Sequence, residues 1–156
     1  MSTAHRAFPR TFQSSRNRYR AFLALLGCVL LLAACQTTSP FEPRAYEIAT
    51  ATKAEALALM DKAAKPATRH RKAIETLRLN LDRGYEFARG RPKNDEATRQ
   101  WAILRDPDGH SIGGFLARWQ REGQLDPAFI AEAKRLVSQG FDQVIALEGG
   151  KPRAAP

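Results

Sequence analysis

Histidines and cysteines are the side chains here best suited to nucleophilic, acid–base or metal chemistry, and the sequence holds three His and two Cys. His70 falls between Ala67 and Ile74 on an apolar seam, where a packed or register-setting imidazole is the plainer expectation than a ligand. Asp106, Asp108 and His110 alternate through Asp106-Pro107-Asp108-Gly109-His110 and could offer three groups to a metal, but the turn lacks the further oxygen ligands of a calcium loop. Asp95 and Glu96 are adjacent carboxylates at a helix start, which the helix dipole explains without catalysis. Metalloprotease, nucleophile-elbow, Walker and dinucleotide-binding patterns are all absent from the chain. The residues therefore point to no catalytic group, no metal and no cofactor, and a non-enzyme is expected. Cys35 is the one position where spacing and residue type suggest a covalent event.

The residues before Cys35 say which event. Arg6, Arg10, Arg16, Arg18 and Arg20 precede an uncharged run from Ala21 to Ala34, and no acid occurs in this stretch. A basic region, a short apolar region and small residues at its end make a secretory signal. Its 14 apolar residues span about 21 Å as a helix at ~1.5 Å per residue, short of the ~30 Å hydrocarbon core of a bilayer. No Arg-Arg pair precedes the run, which argues against a twin-arginine signal. The run ends in Leu32-Ala33-Ala34-Cys35, which resembles the lipobox of bacterial lipoproteins. The resemblance covers only the leader, and no family is recognised for the rest of the chain. It implies removal of residues 1–34, a diacylglyceryl thioether on Cys35 and acylation of the new amine, palmitate being the expected chain. At about 0.8 kcal/mol per buried CH₂, two or three chains anchor where one would not. Gln36 stands where an Asp would retain such a protein in the inner membrane. The resemblance thus implies the outer membrane, facing the periplasm. The plainer alternative is a small buried Cys at an ordinary signal-peptidase site.

Processing would change the arithmetic. Removing 34 residues from 156 leaves 122, and removing five arginines takes the net charge from +9 to +4. Cys28 leaves with the signal and Cys35 is consumed by lipid, so no disulfide is expected. The pI near 10.2 suggests nucleic acid, but most of the excess charge belongs to the leader, and no nucleic-acid partner is expected. A mean hydropathy of −0.42 with 44% hydrophobic residues excludes a multi-span membrane protein and a fully disordered one.

The elements that must position these residues read as helices, giving an all-α, lipid-tethered small helical bundle. Residues 35–43 are expected as a tether. Over residues 44–90, Ala56, Met60, Ala63, Ala67, His70, Ile74, Leu77, Leu81, Gly84 and Ala88 follow at alternating four- and three-residue spacing. That heptad seam fits either one long helix of about 65 Å kinked at Pro66, a stalk, or a helical hairpin with Pro66 opening its second arm. An ordinary core face of a bundle would show the same spacing. Residues 91–150 are expected as a helical head. Asn94, Ser111 and Asp126 serve there as N-caps, Gly123 and Gly140 as stops, and Phe141 to Glu148 as a short last helix. A β-hairpin around Asp106-Pro107-Asp108-Gly109 is the weaker alternative, because Ile112, Phe115, Leu116 and Trp119 repeat at helical spacing. Gly113 and Gly114 in a first helical turn suggest close backbone packing or a mobile start. Residues 151–156 are expected as a frayed tail.

Two surfaces follow from this reading. An envelope protein acting through helices, on a partner or a second copy, would use His70, Ile74, Leu77, Leu81, Trp101 and Trp119. A periplasmic ligand- or cell-wall-binding module would instead use Trp101, Phe115 and Trp119. Arg69, Arg71, Lys72 and Arg78 form the densest basic cluster, expected as a solvated helix face or a site for acidic groups.

Overall fold

In the computed structural model, residues 38–153 are described; the signal segment, the Leu32–Cys35 motif and residues 154–156 lie outside them. The described residues are all-α. Helices α1 (Pro43–Met60), α2 (Arg71–Arg89), α3 (Asp95–Arg105), α4 (Ile112–Glu122) and α5 (Pro127–Gly149) follow in order, with a 3-10 turn at Ala67–His70 before α2. None of these helices is long and apolar enough to cross a membrane.

Helix starts follow local chemistry. Pro43 and Pro127 occupy first-turn positions, where the missing N–H costs nothing. Glu42 accepts the Arg44 N–H at 3.2 Å, and Asp126 accepts those of Ala128 and Phe129 at 2.8 and 3.1 Å. Asn94 and Ser111 stand at N-cap positions, but neither side chain caps. At the end of α4, Gly123 takes φ +82°, a conformation that suits glycine.

The seam residues are buried, yet the long helix is not formed. The chain turns back after Met60, and α1 and α2 form an antiparallel hairpin, with Glu55 opposite Asn80. The heptad phase passes through the turn because Ala63 and Ala67 are pinned beneath the loop after α4. Ala67 donates to the Gly123 carbonyl at 2.8 Å, and Leu125 donates to that of Ala63 at 2.9 Å. The seam thus records one core seen from two arms.

Helices α2 and α3 pair antiparallel through the close approach of Gly84 to Trp101. Helix α5 returns along both α3 and α1, so four antiparallel helices enclose the core and α4 closes one end. Ala45, Ala49 and Ala56 are buried along α1, small enough to let a neighbouring backbone approach. Lys53–Asp142 (2.6 Å) and Lys134–Asp61 tie these helices at the surface, each such pair contributing about 1 kcal/mol or less.

Helix α5 runs without a stop through Gly140, so the short last helix expected after it is the second half of one 23-residue helix. Gly140 serves α3 instead: a Cβ there would lie 3.1 Å from the Leu104 side chain. Gly113 and Gly114 do mark close packing, since a Cβ would fall 2.4 Å from the Arg105 carbonyl oxygen and 1.8 Å from that of Gly109.

Candidate functional site

The two ends of the bundle carry different polar chemistry. Where α1 begins and α5 ends, residues 38–42 form a strap fastened by buried polar groups. Ser39 is buried, its N–H donates to the Lys93 carbonyl at 3.0 Å, and its hydroxyl donates to Asn94 Oδ1 at 3.0 Å. Lys93 adopts φ +57°, a left-handed turn that is uncommon for a residue with a side chain. Asn94 does not cap α3 because its amide is committed here, donating to the Ala88 carbonyl at 2.9 Å and accepting from Lys151.

Beneath the strap, Glu148 is 1% exposed. Arg91 holds its Oε2 at 2.8 Å and also donates to the Pro40 carbonyl. The Lys151 ammonium lies 2.7 Å from Glu148 Oε1, close enough for an ion pair but outside hydrogen-bond geometry. Burial pushes the Lys151 ammonium below its ordinary range, opposed by its close approach and charge attraction to Glu148. Phe41 donates its N–H to Pro152 at 2.8 Å, and Arg153 lies over the Phe41 ring. Residues 38–42 and 151–153, expected as loose tether and tail, are thus fastened to each other and to the bundle.

At the opposite end, α1 and α2 diverge into a groove of about 520 Å³. Leu59, Leu77, Ala58 and Ala73 supply apolar lining, and Lys62, Arg69 and Lys72 bring cations to it. Glu55, also at the groove, accepts the Asn80 amide at 2.6 Å. His70 lines it as well, stacked at 5.5 Å on Trp119, with Nε2 shielded from solvent and without a hydrogen-bond partner. Residues 62–78 contain six Lys and Arg and one acid, Glu75. Among the described residues, Lys62, Lys65, Arg69, Arg71, Lys72 and Arg78 make no ion pair, although many other cations of the bundle do.

The structure redistributes the surfaces expected from the sequence. Ile74, Leu77, Leu81, Trp101 and Trp119 are between 0% and 2% exposed, so the face they form is turned into the monomer's own core. Trp119 donates its indole N–H to the Lys65 carbonyl at 3.0 Å, and Trp101 meets Phe141 edge-on. Phe115 is also buried, stacked at 6.0 Å on Phe129. Trp101, Phe115 and Trp119 therefore offer no exposed aromatic platform; of the expected surface residues, His70 and Leu77 line the groove, and Leu77 is only 2% exposed. Asp106 folds its carboxylate back onto the Asp108 N–H at 3.0 Å, and His110 is exposed. Among the described residues no three His, Cys, Asp or Glu gather as a metal site would require.

Sequence reasoning found the basic cluster but not the groove. Lys62 and Leu59 come from the other arm of a hairpin that the unbroken seam left open. The strap gave even less signal, since Ser39, Asn94 and Glu148 are far apart in the chain. Compared with models of protein families, with curated proteins and with solved structures, the chain matches none of them.

Proposed function

We propose that this chain is a lipid-anchored protein of the bacterial envelope, held by Cys35 at the outer membrane and facing the periplasm. Its helical bundle acts as a structural or interaction component that engages an envelope protein or a second copy of itself. The observation that carries the anchor is Leu32-Ala33-Ala34-Cys35 at the close of a short apolar run behind a basic leader. The strap supports it: residues 36–38 are all that separate Cys35 from Ser39, which is fastened to the bundle. An anchor so placed would keep Ser39 within about 13 Å of Cys35, at ~3.3 Å per extended residue. The buried aromatics remove the motive for a binding module built on Trp101, Phe115 and Trp119, and the proposal assigns no catalytic residue.

Metabolic labelling with an alkynyl fatty acid tests the anchor. The expected result is a labelled, membrane-partitioned protein, with label and partitioning both lost in Cys35→Ser. An unlabelled wild type, or a Cys35→Ser protein that partitions unchanged, overturns it.

A further inference from the structure

We propose that the α1–α2 groove is a docking site for a short acidic, amphipathic segment of a partner protein, with carboxylates on Lys62, Arg69 and Lys72 and apolar side chains against Ala58 and Ala73. This names the kind of partner for the interaction role proposed above, and rests on that role but not on the lipid anchor.

Two observations carry it. The first is charge. Residues 62–78 have a net charge of +5, from six cations and one acid, whereas residues 38–153 together carry only +4 once the five leader arginines are set aside from the total of +9. The bundle's positive excess is therefore concentrated at this end, in side chains that make no ion pair among the described residues. Elsewhere cations are matched within a helix, as in Arg44–Glu47, Arg89–Glu86 and Arg135–Glu132. The second is shape. The groove lies between two antiparallel helices with Ala58 and Ala73 exposed in its lining, the arrangement that receives an amphipathic segment.

The same observations select among acidic partners. Sequence-tolerant single-strand nucleic-acid binding relies on aromatic stacking platforms, and both Trp are in the core. A bare anionic polymer has no use for the apolar lining. An acidic peptide with apolar anchors satisfies both rim and lining.

The test uses the full chain in detergent micelles and a fluorescein-labelled amphipathic peptide of glutamate and leucine, read by fluorescence anisotropy. A lysine–leucine peptide is the control. Lys62, Arg69 and Lys72 replaced together by Glu should weaken binding tenfold or more. The same change of charge at the strap end, by Arg44→Glu, Arg89→Glu and Arg99→Glu, should leave it within twofold. Ala58→Trp, at an exposed groove position, should block binding without changing charge. Circular dichroism confirms that each variant is folded, and Arg69→Glu alone serves if the triple variant is not.

Equal binding by the wild type and groove variants overturns the proposal, as does equal loss in both charge-reversed proteins. Absence of peptide binding also overturns it; groove-dependent binding to phosphatidylglycerol vesicles or to isolated cell-wall sacculi would then reassign the groove to lipid or wall. Repeating the titration with Cys35→Ser separates the two readings. Unchanged peptide affinity there is expected, and failure of lipid labelling would sink the anchor while leaving the groove standing.

Discussion

Gly84→Ala is the sharpest perturbation of the fold, because two effects of known sign oppose each other. Alanine in place of a mid-helix glycine favours the helix by about 1 kcal/mol. The new Cβ, however, would lie 2.5, 2.6 and 2.7 Å from three carbons of the Trp101 six-membered ring. Ordinary carbon–carbon contact is about 3.5–4.0 Å, so α2 and α3 must part by roughly 1 Å or the indole must move. The indole has little room: Trp101 is 2% exposed and its ring meets Phe141 edge-on at 6.1 Å. Overpacking of this kind costs typically 1–3 kcal/mol. Repulsion against a ring with no free side belongs near the upper end, giving a net loss of about 1–2 kcal/mol. At about 4 °C or more per kcal/mol for a domain near this size, Tm should fall by roughly 4–8 °C. Thermal melts followed by circular dichroism at 222 nm measure it. The control is Trp101→Leu, in which the obstructing ring is gone. In that background Gly84→Ala should be neutral or stabilising, so the glycine effect changes sign. A higher Tm for Gly84→Ala in the wild-type background, or an equal loss in both backgrounds, would refute the packing argument.

Two further outcomes concern the polar cluster beneath the strap. Arg91→Ala takes one of two cations from the 1%-exposed Glu148, leaving Lys151 as its ion-pair partner, and should cost about 1.5–3 kcal/mol, read by urea denaturation; a loss under about 0.5 kcal/mol would mean that the carboxylate is rehydrated at no cost. Lys151, held below its ordinary value of 10.5 by burial, releases its proton at lower pH in the folded than in the unfolded chain. Over the range below 10.5 the unfolded state therefore binds more protons, and this group's contribution to stability rises with pH. The stability of the wild type relative to Lys151→Met should increase from pH 8 toward pH 10, and a flat or falling difference would contradict that sign.

What the sequence made legible follows a physical division. Periodicity reports which face of each helix is buried, because burial is repeated every turn; nine of the ten seam residues from Ala56 to Ala88 are buried and His70 is partly so. Local capping at Asp126 was equally plain, since donor and acceptor sit within three residues. Periodicity is blind to direction, and a seam with unbroken phase cannot say that the chain reverses between Met60 and Arg71. Gly140 shows the same limit. Its residue type suits a helix stop, and only the approach of Leu104 from another helix explains it inside one. The Trp residues were conspicuous by type, but type does not distinguish a binding platform from the centre of a core. The strap cluster unites Ser39, Arg91, Asn94, Glu148 and Lys151 from three regions of the chain, and pairwise charge along the sequence carries no trace of it.

The clasp between Phe41 and Pro152 makes the described chain nearly a closed ring. Because the two ends meet, a short linker from Arg153 back to Thr38 would join them with little rearrangement, and the turn between Met60 and Ala67 could be opened to give new ends at the far side. Such a circular permutant would keep every helix pair while moving the chain ends from one pole of the bundle to the other. Any tether fused to the new ends would emerge beside the basic groove. The order of the helices in the chain thus leaves the packing indifferent but decides which pole is free.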